Sequence, residues 1–276
     1  DETQPYYGAS DYAEMLEVAY PAIKAVDPQA QVLVGGLLLD CDPLHPPAGQ
    51  TCLPSTFLGG LLVYGAGDSF DGVAFHAYDF YGLAEGAYGN TNWNSLWNTT
   101  GPVMLAKAAY LRSVLDSFGF SGKYLMSTET ALVCGATGGE PECGTSSYKQ
   151  TQAIYAAQSY AAAYSLDLRY NICYSLISTW RRSGLLDGST HEPEPAFYAV
   201  KFARIRLAGA VYLRALTEAD TGGVGPVQGY AFQKNGRETW VLWSLDGVTR
   251  DVPLPAQPLT VFDLYGTPIS PGLTLT

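Results

Sequence analysis

Apolar positions Met15, Val18, Ala19, Ala22, Ile23 and Val26 recur at helical spacing near the start of the chain. They predict a helix over 11–26 with Ser10 as its cap. Asp27-Pro28 ends it, because the residue before a proline is pushed out of helical backbone space. The run Gln31-Val32-Leu33-Val34-Gly35-Gly36-Leu37 then reads as a buried strand. The same alternation continues, with a helix over 54–64, a break at Gly65-Ala66-Gly67-Asp68 and a strand over 70–76. A long polar aromatic loop follows, then a helix over 102–118 and a strand over 123–129. Next come a long Ala- and Tyr-rich helix over 146–166, a strand over 170–177 and an amphipathic helix over 195–207.

Strands that alternate with helices imply βα units around a parallel sheet. The pattern changes after Ala208. Beyond it no helix is evident, and 211–216, 227–233, 239–245, 249–254 and 259–264 read as short strands. Asn235-Gly236 and Asp246-Gly247 are hairpin-turn signals between them. The expected division is therefore an α/β domain over 1–208 and a small antiparallel, sandwich-like all-β domain over 209–276.

Composition narrows the function. The formal net charge is −11, which argues against nucleic acid and anionic membrane surfaces, since both are bound by clustered Lys and Arg. No run is long and apolar enough to span a membrane, and no signal peptide is visible. The chain opens on Asp1-Glu2-Thr3-Gln4-Pro5 without a Met, so an upstream segment is expected. The 20 Tyr and 5 Trp, set against few charges, suit a protein that stacks rings on neutral sugars; an aromatic-rich core explains them equally well.

Of the five cysteines, Cys41 and Cys52 flank one Pro-rich loop, and Cys134 and Cys143 flank a Gly-rich one. That spacing suits two local disulfides and a secreted, extracellular location. Zinc favours tighter Cys-x2-4-Cys pairs. Cys173 reads as a buried free thiol. Asn98-Thr99-Thr100 is a glycosylation sequon.

The strand 123–129, Lys-Tyr-Leu-Met-Ser-Thr-Glu, fills with apolar and small residues and closes on its first strong negative charge, Glu129. Phe70-Asp71-Gly72-Val73-Ala74-Phe75-His76-Ala77-Tyr78 ends similarly on His76 and Tyr78. Val32-Leu33-Val34-Gly35-Gly36 precedes them, and Ser178-Thr179-Trp180 follows. In this order these segments resemble strands five to eight of a (β/α)8 glycoside hydrolase of the large retaining clan that contains cellulase-like and xylosidase-like families. The helix around Tyr12 to Pro28 resembles the one after the clan's fourth strand. The resemblance covers about residues 1–207, and many members carry a β-sandwich afterwards. It implies the second half of a (β/α)8 TIM barrel followed by a small all-β domain. It implies Glu129 as nucleophile, His76 and Tyr78 as its neighbours, Trp180 as a sugar platform, and Trp93 and Trp97 as candidates for outer subsites. The substrate it implies is a β-linked oligo- or polysaccharide, with no cofactor and no metal.

The chain departs from that pattern in one respect. The clan's acid/base Glu sits in an Asn-Glu-Pro segment at the fourth strand, and by spacing Asp1 matches the residue after it. The first four βα units and the acid/base are thus expected to lie outside this chain, supplied by an N-terminal half-barrel or, in function, by a second copy. Glu2 stands in as acid/base only if the loop has slipped by several residues. Retaining hydrolysis needs two carboxyl groups roughly 5 Å apart, so this question decides activity.

Blander readings stand beside each assignment. Glu129 could simply end a strand, His76 and Tyr78 could be satisfied core residues, and loop tryptophans often pack on their own scaffold. Asp40, Asp42 and Glu140 read as solvated loop charges. A non-catalytic carbohydrate-binding or cell-surface protein on a glycosidase-like scaffold is the rival from another class, with Trp240 and Trp243 in the tail available to it.

Overall fold

The computed structural model describes residues 5–178, 180–270 and 274–275; Glu2 and Thr179 lie outside the described residues. The first part runs α1 (Ala9–Val26), β1 (Leu33–Leu37), α2 (Phe57–Val63), β2 (Gly72–Tyr81), β3 (Tyr88–Gly89), β4 (Asn94–Ser95), α3 (Met104–Ser117), β5 (Tyr124–Cys134), α4 (Ser146–Ser165), β6 (Asn171–Cys173) and α5 (Pro195–Leu207). β1, β2, β5 and β6 lie side by side in that order, every pair parallel. Parallel neighbours need a long crossover, and the helices provide it. The β3–β4 ribbon pairs antiparallel on the far end of β2 through Asn94 and Phe80.

Asp71, just ahead of β2, ties the beginning of this unit together. Its carboxylate accepts from the Val32 N–H at 2.7 Å and the Tyr20 hydroxyl at 3.0 Å, and pairs with Lys24 at 2.9 Å. Burial alone pushes this carboxyl up, yet the three donors outweigh it and hold it below the usual carboxylate range. Leu58, Leu61, Val73, Phe75, Leu111, Leu115 and Leu125 pack between the sheet and α2 and α3. α4 begins where Thr145 caps the Tyr148 N–H at 3.2 Å. Its alanines at 153 and 157 meet Ala196 and Ala199 of α5 in a cluster of small side chains, which lets the two helices approach closely.

The second part holds β7 (Val211–Ala215), the short helix α6 (Glu218–Thr221), β8 (Val227–Lys234), β9 (Arg237–Ser244), β10 (Val252–Pro253), β11 (Val261–Phe262), β12 (Pro268–Ile269) and β13 (Thr274–Leu275). β7, β8 and β9 form one antiparallel sheet, while β10–β13 and β11–β12 are separate two-stranded ladders. Asn235 and Gly236, both at positive φ, make the tight turn between β8 and β9. Tyr230 and Phe232 of β8 belong to the same buried core as the helices.

Several sequence expectations change here. β5 does not stop at Glu129 but runs on to Cys134, because Thr130 to Cys134 keep pairing with Ala77 to Tyr81 of β2. β6 is only three residues long, not eight. Asp246-Gly247 does not join paired strands, since β9 ends at Ser244 and β10 pairs with β13; Asp246 instead accepts from Ser244, Val248 and Arg250. The tail gains α6, closed by a Thr217–Asp220 capping box. α1 starts at Ala9 and buries Ala9, Ala13 and Leu16, whereas Met15, Val18, Ile23 and Val26 of the expected apolar face are exposed.

The two expected disulfides, Cys41–Cys52 and Cys134–Cys143, are both present, and Cys173 is free. The three carboxylates read as solvated loop charges have structural work in those loops. Asp40 accepts from Ser55 Oγ at 2.8 Å, Asp42 from the Leu44 N–H at 2.9 Å, and Glu140 from the N–H groups of Ala136, Thr137 and Gly138 at 2.9 Å each. Among the described residues no helix is long and apolar enough to cross a membrane. The Cys41–Cys52 bridge closes a sequence separation of 11, for which the chain-entropy model gives about 2–3 kcal/mol. Replacing both cysteines by Ser is expected to lower unfolding stability by that amount in a denaturant titration; an unchanged midpoint would remove the bridge from the stability account.

Candidate active site

The site forms where three ladders change register at one level of the parallel sheet. Between β1 and β2 the pairing passes from Val34↔Val73 to Leu37↔Phe75, so β1 carries one extra residue at Gly35-Gly36. Between β2 and β5 it passes from Phe75↔Ser127 to His76↔Glu129, leaving Thr128 extra. β5 is also one residue longer against β6, from Ser127↔Asn171 to Thr130↔Cys173. Side chains alternate faces with a period of two, so one inserted residue moves all that follow to the opposite face. Without the insertion Glu129 would share a face with Phe75 and Val73, against the helices. With it, Glu129 sits beside His76, on the other face.

Thr128 turns its hydroxyl onto the Phe75 carbonyl at 3.4 Å, and Ser127 Oγ reaches the Glu129 carbonyl at 3.1 Å. Thr130 Oγ1 lies 2.6 Å from Ser127 Oγ and donates to Asn171 Oδ1 at 2.7 Å. Short polar side chains thus occupy the places where the inserted residue disturbs the ladder.

Two groups converge on Glu129 Oε2. The Tyr78 hydroxyl donates a hydrogen bond to it, and His76 Nδ1 stands 3.3 Å away. Burial, followed by the bond to Glu129, pushes the Tyr78 phenol far above its ordinary range, so it remains a donor at any working pH. Burial holds His76 below its ordinary value; the Glu129 carboxylate opposes this and the Lys107 ammonium adds to it. A neutral imidazole donates from only one nitrogen, and Nδ1 is the nitrogen that faces Glu129. The ring has room because β1 offers Gly36: a side chain there would overlap the imidazole.

Beside this cluster stand three aromatic rings. Tyr78 meets Trp180 at 5.2 Å and Tyr174 at 6.0 Å, and Tyr174 meets Trp180 at 5.8 Å, all edge to face. Trp180 is partly exposed. Arg181 follows it with its guanidinium over the Phe80 ring and its Nε donating to the Gly135 carbonyl at 2.6 Å. The structure therefore brings Glu129, His76, Tyr78 and Trp180 together. Sequence reasoning missed Tyr174, which directly follows β6; an aromatic residue closing the last parallel strand was the available signal.

Trp93 and Trp97 are corrected. They are 3% and 2% exposed, so neither can offer a face to a sugar here. Trp97 Nε1 donates to the Leu39 carbonyl at 2.9 Å, and Trp93 packs edge-on to Tyr155. They brace the loop between β2 and α3 against the scaffold. Among the described residues, no group of three or more His, Cys, Asp or Glu is placed to hold a metal ion. Gly36→Ala is expected to turn the His76 ring away from Glu129 with the sheet otherwise intact; a crystal structure of the variant with the ring unmoved would contradict this packing.

No family model and no curated protein matches this sequence. By structure, the chain is similar to a family 39 glycoside hydrolase from the gut symbiont Bacteroides cellulosilyticus WH2. That match has 20% identity and a TM-score of 0.59, over 94% of this chain and 50% of that one. It is also similar, more distantly, to a glucosidase from Croceicoccus marinus, with 16% identity and a TM-score of 0.45 over 97% of this chain and 52% of that one. The first match identifies a glycoside hydrolase-like fold; the second carries no weight. The chain spans about half the length of each structure.

Proposed function

We propose that this chain carries the nucleophile-bearing half of a retaining β-glycoside hydrolase of the cellulase- and xylosidase-like clan. The observation that carries the reading is the Glu129 carboxylate, turned by the Thr128 insertion to lie beside His76 and held at Oε2 by Tyr78. In this reading Glu129 Oε1 attacks the anomeric carbon as the bond to the leaving oxygen breaks. A glycosyl-enzyme ester forms, and water then cleaves it with the opposite proton transfer. Tyr78 and His76 orient the carboxylate, and Trp180 with Tyr174 offers a ring surface to a neutral sugar. The substrate class is a β-linked neutral or plant-type glycan, and the two disulfides suit a secreted enzyme.

The acid/base in this proposal comes from outside the described residues. The groups on the Glu129 carboxylate are a phenol and an imidazole, and neither is the second carboxylic acid that retention uses. Supply from an N-terminal half-barrel is supported by the two flanks of the sheet. At one, α1 exposes Val18 and Val26; at the other, α5 exposes Tyr198 and Ile205, and Ile172 of β6 is also exposed. Edge strands and apolar helix faces of this kind are normally covered. The proposal thus keeps 1–208 as half of a barrel and 209–276 as an appended β domain.

Among the described residues, the groups that meet the Glu129 carboxylate are a phenol and an imidazole, which also suits one alternative, a non-catalytic carbohydrate-binding protein on this scaffold. Glu129→Gln in the full-length gene product separates the two. The enzyme reading expects turnover of β-linked chromogenic glycosides to fall by about 10⁴-fold or more while oligosaccharide binding persists by calorimetry. Wild-type protein that binds but never turns over β-glycosides selects the alternative, and activity confined to α-linked donors removes the clan assignment. Expressed alone, the 276-residue chain is expected to aggregate and to lack activity on unactivated glycosides, since general acid catalysis supplies about 10²–10⁴-fold. A stable, fully active monomer in gel filtration would place the acid/base inside it, with Glu2 the first residue to test; an active dimer would point to a second copy.

A further inference from the structure

Behind the sheet, at the level of the register changes, lies a lysine that no step above uses. Lys107 on α3 is buried to 4% exposure. Its Nζ donates to the Leu38 carbonyl at 2.7 Å and to the His76 carbonyl at 2.9 Å. Leu38 directly follows β1, and His76 is the first β2 residue after the shift against β5. One side chain therefore clips together the two strands whose spacing decides where the imidazole sits. A buried lysine is uncommon and needs compensation. Its two carbonyls supply part of this, and the carboxylates of Asp79 and Asp40 act on it from nearby.

We infer that Lys107 is a positioning residue for the candidate active site: through the His76 and Leu38 carbonyls it fixes the His76 imidazole against the Glu129 carboxylate. The inference rests on reading Glu129 and His76 as the active site. Lys107 acts on that ring in two ways. It holds the backbone that carries the ring, so Nδ1 faces Glu129. Burial lowers the Lys107 ammonium itself to about 7, so it is charged in the more acid range where His76 titrates, and there it disfavours a second positive charge on the imidazole. The groups facing His76 from each packed element are Glu129 on β5, Gly36 on β1, Lys107 on α3 and, on its own strand, Tyr78. Of these, Glu129 favours the imidazolium and Lys107 opposes it. Below the ordinary histidine range the imidazole gains a proton and the Nδ1–H donor is no longer set by tautomer. Lys107 moves that limit toward acid.

The chain has three histidines, so the test can be read at single residues. The gene product is labelled in its histidine rings and titrated by NMR, following the two ring nitrogens of His76 with His45 and His191 as internal references. In Lys107→Met the His76 pKa is expected to rise by about one unit, a shift of the size that a lost neighbouring charge produces. The Nδ1–H tautomer is expected to lose its dominance, and the references should not move. In Lys107→Arg the charge stays, so the pKa should remain low while the tautomer loosens. If Lys107→Met fails to fold, Lys107→Met with Asp79→Asn removes the lysine without leaving a lone buried carboxylate, and the same His76 changes are expected. A His76 titration and tautomer unchanged in the folded variant, or a shift shared equally by all three histidines, overturns the inference. The readout needs no turnover, so a null result here and failure of the hydrolase reading are told apart.

Discussion

The site depends on a row of one-residue insertions crossing the sheet at a single level. β1 and β5, the strands on either side of β2, each carry one more residue than β2 there. In a regular sheet the residues after Phe75 and Ser127 would pair without interruption, and Glu129 would point at the helices. The insertion reverses its face, and the glycines of β1 open the space that His76 then fills. Neither change is useful alone: a redirected Glu129 without room for His76 would lose a partner, and a His76 without Glu129 would lose the carboxylate opposite its Nδ1.

Irregular backbone inside a sheet must have its polar groups satisfied. Here the hydroxyls of Ser127 and Thr128 do so at the Glu129 and Phe75 carbonyls, and Lys107 does so behind His76. The buried polar side of the sheet extends further. Asp79, fully buried on β2, accepts the Val103 N–H at 2.8 Å and is pushed up by burial, with Lys107 among the groups opposing that push. Such a network stabilises little relative to apolar packing of equal volume, but it disfavours alternative registers. A slip of β5 by one residue would bury Glu129 among leucines and break the Ser127, Thr130 and Asn171 contacts together.

Much of this was legible in the residues. The helices and strands of the first part come from plain periodicity, and α5 begins where Pro195 follows a polar stretch, as the first-turn preference of proline dictates. Both disulfides follow from loop spacing. That Glu129, His76, Tyr78 and Trp180 come together was readable from the clan resemblance and from their places at or just past apolar runs. What could not be read is tertiary in origin. Glu129 looks like the end of a strand because the insertion at Thr128 leaves no trace in composition. Trp93 and Trp97 sit among Asn, Thr and Gly, so their burial depends on a loop that folds back onto Tyr155 and Leu39. Lys107 lies in a helix among alanines, where a lysine normally faces water. The stripe on α1 is apolar as read, but α1 buries Ala9, Ala13 and Leu16 and leaves Met15, Val18, Ile23 and Val26 exposed, a choice of side that periodicity does not make.

The character of the donors around Glu129 bears on what the site can hold. A carboxylate that attacks carbon must be ionised, and a chain with a net charge of −11 gives it no general electrostatic help. An arginine or lysine in direct contact would stabilise the ion but would also reduce its reactivity and attract anionic ligands. The contacts seen are instead a phenol locked in its protonated form and an imidazole kept neutral by burial and by a cation on the far side of the strand. The phenol and the imidazole both meet the carboxylate at Oε2. Next to it stand the rings of Tyr174 and Trp180. A carboxylate beside aromatic edges repels anionic groups, which is the setting that the proposed neutral glycan calls for.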